Sequence, residues 1–402
     1  MRDKLILITA GFPFGNHETF LETEIIYLSS AFKKIIILSI CDQIDTQREI
    51  PENCQVYKIK SSLTKLEKIK SVYNLINKRF WQEIQIIRKT YQKKVSIGII
   101  KTMLISLYNA SRIQKELIKQ LEDLESTICY SYWCDDTAIS LCLLKEKKPN
   151  IKAISRMHRW DIYFEQNKFN YLPFRHFICD KLDMLYPISV DGLNYVSDSW
   201  KVKQDNFKLA RLGVFGNHSY TEKQNSVIRI VSCSNVIKVK RVDKIAEAIS
   251  LIKGKEVQWI HYGDGPLLNE LQKLIENFPE QILVSFPGRI NNKEILRGYL
   301  ESPPDLFINL SCSEGIPVSI MEAMSFGIPV IATDVGGNAE IVNNKNGSLL
   351  PEDSTSEEVS NVIQEYFDLE IRNKKGKEAF NTWKTKFNAK ENYNKFLESL
   401  LE

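Results

Sequence analysis

Short apolar runs alternate with longer stretches of helical pattern along the whole chain, and this alternation starts again near residue 227. In the first half, the runs typical of strands are residues 5–9, 35–40, 127–130, 153–155 and 184–188. In the second half, they are residues 228–233, 257–262, 282–286, 306–310, 330–333 and 348–350. Helical patterns include residues 20–32, 240–252, 267–277 and 319–325. Strands that alternate with helices predict an α/β fold with parallel sheets, and the restart predicts two doubly wound domains.

The length of the chain agrees with two domains. It has 402 residues, whereas single hydrophobic cores stop growing near about 250 residues. A polar segment with linker composition precedes the restart. We therefore expect an N-terminal domain at 1–215, a linker at 216–226, a second domain at 227–380 and a C-terminal helix at 381–402 that packs back on the first domain. The carboxyl ends of both sheets are expected to face a cleft between the domains, where the active site should lie.

The charges of the chain are unevenly distributed. The whole sequence has 54 Lys+Arg and 50 Asp+Glu, a net charge of only +4, but residues 58–119 alone sum to +12. This stretch has a helical pattern, so we expect a basic helical insertion at about 60–125 in the N-terminal domain. Such a layer suits an anionic partner such as a membrane surface. A solvated surface of a lysine-rich protein would have the same composition.

The sequence excludes several classes of protein. The apolar run at the start ends at Gly11 and is too short for a signal peptide, and the run at 95–110 falls short of the roughly 20 residues that cross a bilayer. The eight cysteines include no Cys-x-x-Cys pair, which disfavours a zinc site and suits free thiols in the cytoplasm. No Gly-x-Gly-x-x-Gly follows a strand, which disfavours a nicotinamide-dependent dehydrogenase. No nucleic-acid-binding motif is present, so we expect no nucleic-acid partner.

The segment 305–324 carries the residues best suited to ligand binding. A predicted strand ends there, the next loop presents Glu314, and Pro317 suits the first position of a helix. Gly315 lets the backbone approach a ligand, and the first helical turn offers free amides to an anion such as a diphosphate. Glu322 follows eight residues after Glu314. The two carboxylates can then hold two polyhydroxylated parts of one ligand, a sugar and a ribose.

The spacing of Glu314 and Glu322 resembles the E-x7-E motif of the retaining GT-B glycosyltransferases, in particular glycosyltransferase family 4. The surrounding Ser-Glu-Gly-Ile-Pro, the block Ala-Met-Ser-Phe-Gly-Ile-Pro-Val-Ile-Ala-Thr and the Gly-Gly-x-x-Glu at 336–340 are similar too. The resemblance implies a GT-B fold of two Rossmann-like domains and transfer of a sugar from a nucleotide diphosphate sugar. It also implies that the donor is held by Glu314, Glu322 and the loop residues Gly315, Ile316, Pro317 and Val318.

Other donor-side segments follow in the order that the resemblance requires. After the strand at 228–233, Lys240 matches the lysine that contacts the donor diphosphate. Asn235 stands where the family has an arginine, which removes a bidentate phosphate contact. Lys238 or Arg241 are candidates to compensate, and the alternative interpretation is an exposed basic loop.

Two further segments are similar to parts of the donor site. Gly263 belongs to a Gly-x-Gly turn after the strand at 257–262, where the second domain lines the donor cleft. Arg289 and Ile290 follow the next strand, and the resemblance implies that their backbone meets the nucleotide base. Arg289 would suit an exposed surface equally well.

In the N-terminal domain, His158 follows a predicted strand and is one of only five histidines. An isolated histidine is often structural, but the resemblance implies that His158 lies beside the donor sugar and its anomeric carbon. Asp161 either orients this loop or the acceptor, or caps a helix. Gly15 resembles the small residue that lets amides reach phosphate or sugar, and Glu18 either contacts the acceptor or caps the next helix. Tyr132, after another strand, is a candidate on the acceptor side.

The resemblance implies a retaining hexosyltransferase, and because cationic side chains and helix amides can stabilise the diphosphate charge, we expect no metal and no cofactor besides the donor substrate. We expect His158, Glu314 and Lys240 to be catalytic, with Lys240 and the helix amides stabilising the departing diphosphate. The resemblance also implies an acceptor that is a hydroxyl of a glycan or of a lipid-linked intermediate in surface polysaccharide synthesis (capsule, O-antigen or exopolysaccharide). We expect the protein in the cytoplasm, with Lys89, Lys93 and Lys94 docking the basic layer on the membrane. The alternatives are a GT-B nucleotide-sugar epimerase, a phosphorylase, or a non-catalytic subunit that binds a nucleotide sugar.

Overall fold

The computed structural model describes residues 2–15, 18–42, 46–121, 126–203, 205–216, 219–224 and 227–402. The chain forms two compact units, the first from Met1–Arg211 with Tyr393–Glu402 and the second from Leu212–Asn392. Each unit contains a six-stranded parallel sheet with helices around it. The predicted α/β class with two doubly wound sheets is confirmed.

The first unit has the strand order β3-β2-β1-β4-β5-β6. Its strands are β1 (Arg2–Thr9), β2 (Phe32–Ile40), β3 (Cys54–Ile59), β4 (Thr127–Ser131), β5 (Lys152–Met157) and β6 (Met184–Pro187). Its helices are α1 (Leu21–Ala31), α2 (Lys65–Lys70), α3 (Lys78–Lys89), α4 (Ile97–Gln120), α5 (Asp136–Lys147), α6 (Arg159–Ile162), α7 (Arg175–Lys181) and α8 (Val190–Tyr195). Shorter 3₁₀ turns lie at Ser71–Ile76 and Phe164–Gln166, and a π-helical turn at Val196–Trp200.

The second unit repeats this topology, with the order β12-β11-β10-β7-β8-β9. Its strands are β7 (Ile228–Cys233), β8 (Val257–Tyr262), β9 (Ile282–Gly288), β10 (Leu306–Asn309), β11 (Val330–Thr333) and β12 (Gly347–Leu350). Its helices are α9 (Val242–Ser250), α10 (Leu268–Ile275), α11 (Asn292–Glu301), α12 (Val318–Ser325), α13 (Asn338–Ile341), α14 (Ser356–Glu365) and α15 (Leu369–Thr382). A 3₁₀ turn lies at Lys238–Lys240 and a π-helical turn at Trp383–Phe387.

The strand order reverses direction once in each sheet, between β1 and β4 and between β7 and β10. The central strands are continuous apolar runs because helices cover both faces of a doubly wound sheet, and residues 5–8 of β1 are fully buried. Open parallel sheets bind ligands outside the carboxyl ends of the strands at such a reversal. The loops that follow β1, β4, β7 and β10 are therefore the places to look for a site.

The basic stretch of the first unit is largely helical. It contains α2, the 3₁₀ turn Ser71–Ile76, α3 and α4, while residues 122–125 of the predicted insertion lie outside the described residues. Helix α4 packs against α5 and buries Met103, Leu107 and Ala110, so it is part of the core of this unit. Within the described ranges, no helix combines the length and the apolar character needed to cross a bilayer.

The last helix, α16 (Ala389–Leu401), returns the chain to the first unit from Tyr393 onward. Phe396, Leu397 and Leu400 join the apolar cluster on one face of the first sheet. The helix that packs on the first unit is therefore shorter than the predicted 381–402. Trp383 still belongs to the second unit, where its indole donates a hydrogen bond to the Val214 carbonyl (3.1 Å).

The segment predicted as a linker at 216–226 differs in a similar way. Residues 217, 218, 225 and 226 lie outside the described residues. Tyr220 donates its hydroxyl to the Asn373 carbonyl (2.9 Å), and the Lys223 amide donates to the Asn373 side chain (2.7 Å). This part of the chain therefore packs along α15 and belongs to the second unit, which begins at Leu212.

Candidate active site

The loops after β7 and β10 meet at the strand-order reversal of the second sheet. The Cys312 amide donates a hydrogen bond to the Val239 carbonyl (2.9 Å), which fixes one loop against the other. Across this contact, the Lys240 Nζ lies 2.5 Å from Glu314 Oε1. Asn309, the last residue of β10, donates its side-chain amide to the same oxygen (3.2 Å). A buried carboxylate and a partly exposed ammonium are thus held together where a ligand is expected.

Two glycines press against the loop that carries Glu314. Gly336 has φ +52°, and a Cβ there would lie 2.0 Å from the Glu314 carbonyl oxygen. The neighbouring Gly337 amide donates to the Gly315 carbonyl (2.9 Å), and a Cβ at Gly337 would lie 2.5 Å from that oxygen. The Gly-Gly pair of the sequence motif therefore allows a close backbone approach that sets the position of Glu314.

Helix α12 continues from this loop. Pro317 is its N-cap rather than its first helical residue, with Ile316 buried beside it and Val318 as the first residue of the helix. The first amides of a helix have no intrahelical partner and carry the positive end of its dipole. They follow Glu314 and Gly315 directly in the chain, so a carboxylate and an anion-binding helix end stand side by side.

Glu322 is buried in the middle of α12 and accepts a hydrogen bond from the Asn292 side chain (2.8 Å). Burial raises the pKa of its carboxyl to about 7, and the Asn292 bond offsets part of this effect. Near neutral pH the group therefore takes up or releases a proton easily, and hydroxyl donors from a ligand would favour the ionised form.

The basic residues after β7 have different partners. The guanidinium of Arg241 donates to the Leu310 carbonyl (2.7 Å) and to the Glu352 carbonyl (2.8 Å), which ties it to the backbone. Lys238 is exposed. Arg289, from the end of β9, donates to the Asn235 side chain (2.9 Å). A guanidinium therefore lies beside the Asn235 side chain, but it is contributed by Arg289 after β9 and not by position 235 itself.

Gly263 brings the β7 and β8 loops together. Its φ is +154°, and a Cβ there would lie 1.8 Å from the Ser234 carbonyl oxygen. The Gly263 amide also donates to the Gly288 carbonyl (3.0 Å), and this bond connects the β8 loop to the end of β9. Arg289 and the half-buried Ile290 follow directly after Gly288. The donor-side residues predicted after β7, β8 and β9 thus lie in three neighbouring loops that contact one another.

In the first unit, His158 lies among aromatic rings at the end of β5. Its ring centroid is 4.4 Å from that of Trp133, 4.7 Å from that of Tyr132 and 5.8 Å from that of Phe20. Burial, with a smaller effect of the Arg156 charge, holds the pKa of His158 well below its usual value, so the imidazole is neutral. Within the described part of the chain, neither ring nitrogen has a hydrogen-bond partner.

Asp161 and Glu18 hold the loops around this histidine. The Asp161 carboxylate accepts the amides of His158 (2.6 Å) and Cys134 (2.7 Å), which links the ends of β5 and β4. Burial raises the pKa of Asp161 to about 7. The Glu18 carboxylate accepts the amide of Phe12 (2.7 Å) and the indole N–H of Trp133 (2.6 Å). Both acids thus have fold-internal partners, which favours a positioning role over direct contact with an acceptor.

The two remaining predicted residues of this unit are Gly15, which is partly exposed, and Tyr132, which is not. Gly15 is half-buried with φ +62°, in the loop after β1, and residues 16 and 17 of this loop lie outside the described residues. Tyr132 is fully buried and stacks on Phe20 at 5.5 Å. Because Tyr132 is buried, its ring packs against the His158 ring, and its hydroxyl is not accessible to a large acceptor.

Asn292 and Asn309 were missed by the sequence reasoning. Each hydrogen-bonds one of the two motif glutamates. Their positions in the sequence could have indicated them, since Asn309 is the polar residue that ends the apolar strand β10 and Asn292 is the first residue of α11. Within the described ranges, no three His, Cys, Asp or Glu side chains form a group that could hold a metal ion.

Residues 218–382 match the family model of the glycosyl transferases group 1. Solved structures extend the similarity to nearly the whole chain. A sucrose-phosphate synthase from Thermosynechococcus elongatus superposes with a TM-score of 0.72, covering 99% of this chain and 98% of that chain at 14% identity. The Anabaena protein HepE in complex with UDP and glucose gives a TM-score of 0.68, covering 98% and 99% at 15% identity. The fold is GT-B.

Among curated proteins, the N-acetyl-alpha-D-glucosaminyl L-malate synthase of Bacillus anthracis is 28% identical over 189 residues, 46% of this chain and 46% of that protein. The matches span about half the length of the curated relatives. The predicted resemblance to GT-B glycosyltransferases is therefore confirmed in fold and, for the second unit, in sequence. In this GT-B chain the group 1 match contains Lys240, Glu314 and Glu322.

Proposed function

We propose that the protein is a retaining glycosyltransferase of family 4 that transfers a hexosyl group from a nucleotide diphosphate sugar to a hydroxyl group. The observation that carries this proposal is the contact between Lys240 and Glu314 at the strand-order reversal of a group 1 domain. A cation and a carboxylate at one point suit a ligand in which a diphosphate is joined directly to a polyhydroxylated ring. A nucleotide diphosphate sugar is such a ligand.

In this proposal each group of the second unit contacts one part of the donor. Lys240 and the first amides of α12 bind the diphosphate and stabilise the charge that grows on it as the bond to the sugar breaks. Glu314 accepts hydrogen bonds from the sugar hydroxyls, and Glu322 accepts them from the ribose. The complex of the Anabaena HepE protein with UDP and glucose supports a donor of this class.

Arg289 is the proposed second cation at the diphosphate. Asn235 holds its guanidinium (2.9 Å), whereas Arg241 is engaged by two backbone carbonyls. An arginine from the β9 loop can thus compensate for the residue that Asn235 replaces. This favours Arg289 over the two candidates that sequence reasoning named, Lys238 and Arg241.

For the chemical step we propose front-face substitution at the anomeric carbon. The bond from this carbon to the diphosphate oxygen breaks, the bond to the acceptor oxygen forms on the same face, and the acceptor proton passes to the departing diphosphate. The step needs no covalent enzyme intermediate, no metal and no cofactor. His158, neutral and with unsatisfied ring nitrogens, is proposed to bind the sugar beside the reacting carbon.

The proposed acceptor is a glycan or a lipid-linked glycan in cell-surface polysaccharide synthesis, used in the cytoplasm at an anionic membrane surface. One support is that a curated relative of Salmonella typhimurium, 27% identical over 213 residues, is described as a putative colanic acid biosynthesis glycosyltransferase. Another is the strongly basic stretch at 58–119.

The test is product analysis with a panel of nucleotide diphosphate sugars and lipid-linked acceptors. We expect a glycoside whose anomeric configuration, read by NMR coupling constants, equals that of the donor. A product of inverted configuration would contradict retention. Conversion of the donor without any acceptor would indicate an epimerase, and consumption of inorganic phosphate would indicate a phosphorylase.

A further inference from the structure

The segment 65–81 exposes an unusual number of large apolar side chains. Ile76 is 89% exposed, Tyr73 is 76% exposed and Ile69 is 67% exposed. Further exposed apolar side chains in the same segment are Leu66, Val72, Leu75 and Trp81. Helix α2 has no buried residue at all. Exposed apolar residues are ordinary when scattered singly, but a cluster of this kind marks a contact surface.

This segment is nevertheless well fixed on the first unit. Thr64 and Glu67 form a capping box at the start of α2. Ser71 is buried, and the Asn74 side chain donates a hydrogen bond to the Leu104 carbonyl in α4 (3.1 Å). The Trp81 indole donates to the Leu75 carbonyl (2.7 Å). The Asn74 bond and the buried Phe80 thus hold the segment on the first unit, while the seven apolar side chains named above are exposed.

Lysines accompany these apolar side chains. Lys65, Lys68, Lys70 and Lys78 are all exposed, and Glu67 is the only acid in the segment. The Glu67 carboxylate is engaged in the capping box, where it accepts the Thr64 amide (2.8 Å). The surface is therefore apolar and cationic, with its one carboxylate turned to the helix end.

We propose that the segment 65–81 is an interfacial anchor that inserts its apolar side chains into the headgroup region of an anionic bilayer. Apolar side chains flanked by lysines bind such interfaces through burial of apolar area and attraction to anionic lipids. A second copy of this face would bring lysines against lysines. A nucleic acid would leave the isoleucines without a partner, because its affinity comes mainly from phosphate contacts. The inference rests on the proposed function in taking a membrane as the partner, and it names the segment and the mode of binding.

The structure also changes which lysines should matter. Lys93 donates to the Asn170 carbonyl and lies 5.1 Å from the centre of the Phe164 ring. These contacts keep its ammonium on the protein. Lys65, Lys68 and Lys70 are therefore better candidates for lipid contact than the set of Lys89, Lys93 and Lys94 expected from the sequence.

The experiment is sedimentation of the full chain with phosphatidylcholine vesicles that contain or lack phosphatidylglycerol. We expect binding to the anionic vesicles, and a loss of at least about tenfold in the partition constant for the double variant Ile69→Glu with Ile76→Glu. The matched control is Leu283→Glu with Leu300→Glu, two exposed apolar positions of the second unit, which should bind as the parent does.

A second pair of variants tests the charge. Lys65→Glu, Lys68→Glu and Lys70→Glu together should abolish the preference for anionic vesicles, whereas the exposed set Lys253→Glu, Lys374→Glu and Lys377→Glu should not. Absence of parent binding, or equal binding by Ile69→Glu with Ile76→Glu, would overturn the proposal. Self-association lost in that double variant, without vesicle binding, would assign the face to a second copy and overturn it as well. Calorimetric titration with the nucleotide sugar, without vesicles, tests the donor site separately.

Discussion

Lys240 donates a hydrogen bond to Glu314 across the carboxyl ends of β7 and β10. The ammonium comes from a 3₁₀ turn and the carboxylate from the loop before α12, so the contact joins two loops that are 74 residues apart in the chain. Because the pair links the proposed diphosphate contact to the proposed sugar contact, loss of either charge should disturb both parts of donor binding.

Replacing Glu314 by Ala should reduce kcat/KM for sugar transfer by about 10²–10³, the effect expected when one electrostatic contact to the reacting group is lost. Folding should change little, because Lys240 is partly exposed and can be solvated. Initial rates with the true donor and acceptor measure the effect. Glu352→Ala, at an exposed position, is the control, and normal turnover by Glu314→Ala would contradict the assignment.

Donor affinity should rise as the pH increases through about 7. Burial raises the pKa of Glu322 to about 7, and only its ionised form accepts hydrogen bonds at both oxygens. Below this pKa the affinity should fall by up to about tenfold per pH unit. Calorimetric titration with a nucleotide diphosphate sugar measures the profile, and Glu322→Gln should make it flat. A parent profile that is already flat between pH 6 and 8 (roughly the window set by this pKa) would refute the proton linkage.

Gly336→Ala should destabilise the second unit and weaken donor binding. The new Cβ would lie 2.0 Å from the Glu314 carbonyl oxygen, so the loop must move, and the left-handed backbone adds strain. We expect a loss of roughly 2 kcal/mol or more in the free energy of unfolding. Gly254→Ala is the matched control, since Gly254 also has positive φ (+66°) but has no atom within 4 Å of the new Cβ. Equal losses in both variants would show that the contact with Glu314 has no effect.

Arg289→Ala should weaken binding of a nucleoside diphosphate by about tenfold, as expected for one lost charge-assisted hydrogen bond. Adding Asn235→Arg to this variant should restore much of the affinity, because it returns a guanidinium to the β7 loop. Isothermal titration measures both changes. Arg297→Ala removes a surface arginine that is paired with Glu301 and should have no effect. An unchanged affinity in Arg289→Ala would remove this residue from the donor site.

The free energy of unfolding should fall as the pH rises from about 4 to 7. Burial raises the pKa of Asp161 from 3.8 to about 7, so the folded state retains a proton that the unfolded chain has lost. Stability that is present below the ordinary pKa is thus lost as the pH rises through 7. Across this window, the free energy of unfolding of Asp161→Asn should rise relative to that of the parent by roughly 1 to 4 kcal/mol. Urea titrations at several pH values measure the difference, and a parent that becomes more stable between about pH 4 and 7 would contradict the sign.

The sheets could be predicted closely where the strands are central. The apolar runs at 228–233, 257–262 and 330–333 coincide with β7, β8 and β11. Strand β3 was missed because it lies at the sheet edge, where only its first and last residues, Cys54 and Ile59, are buried. An edge strand with exposed polar residues lacks the apolar run that marks a buried strand in the sequence.

The site could be predicted in its residue types but not in all its contacts. Glu314, Glu322 and Lys240 follow from the motif, and the structure places Lys240 at Glu314. The bond from Arg289 to Asn235 joins residues 54 apart in the chain, and no local pattern indicates it. For Glu18, spacing alone left a structural and a functional interpretation open, and the three N–H groups that its carboxylate accepts identify its structural partners.

Helix α16 places the last apolar side chains of the chain in the first sheet's cluster, where the Phe396 ring lies 4.3 Å from the buried Arg156 guanidinium. The core of the first unit is therefore incomplete until residues 393–402 have been translated, long after the rest of that unit has left the ribosome. Until then, the faces of Tyr130 and Tyr186 that pack on Phe396 remain uncovered. A stop codon shortly before Tyr393 would consequently damage the first unit, although the codons of its other residues lie upstream of residue 212.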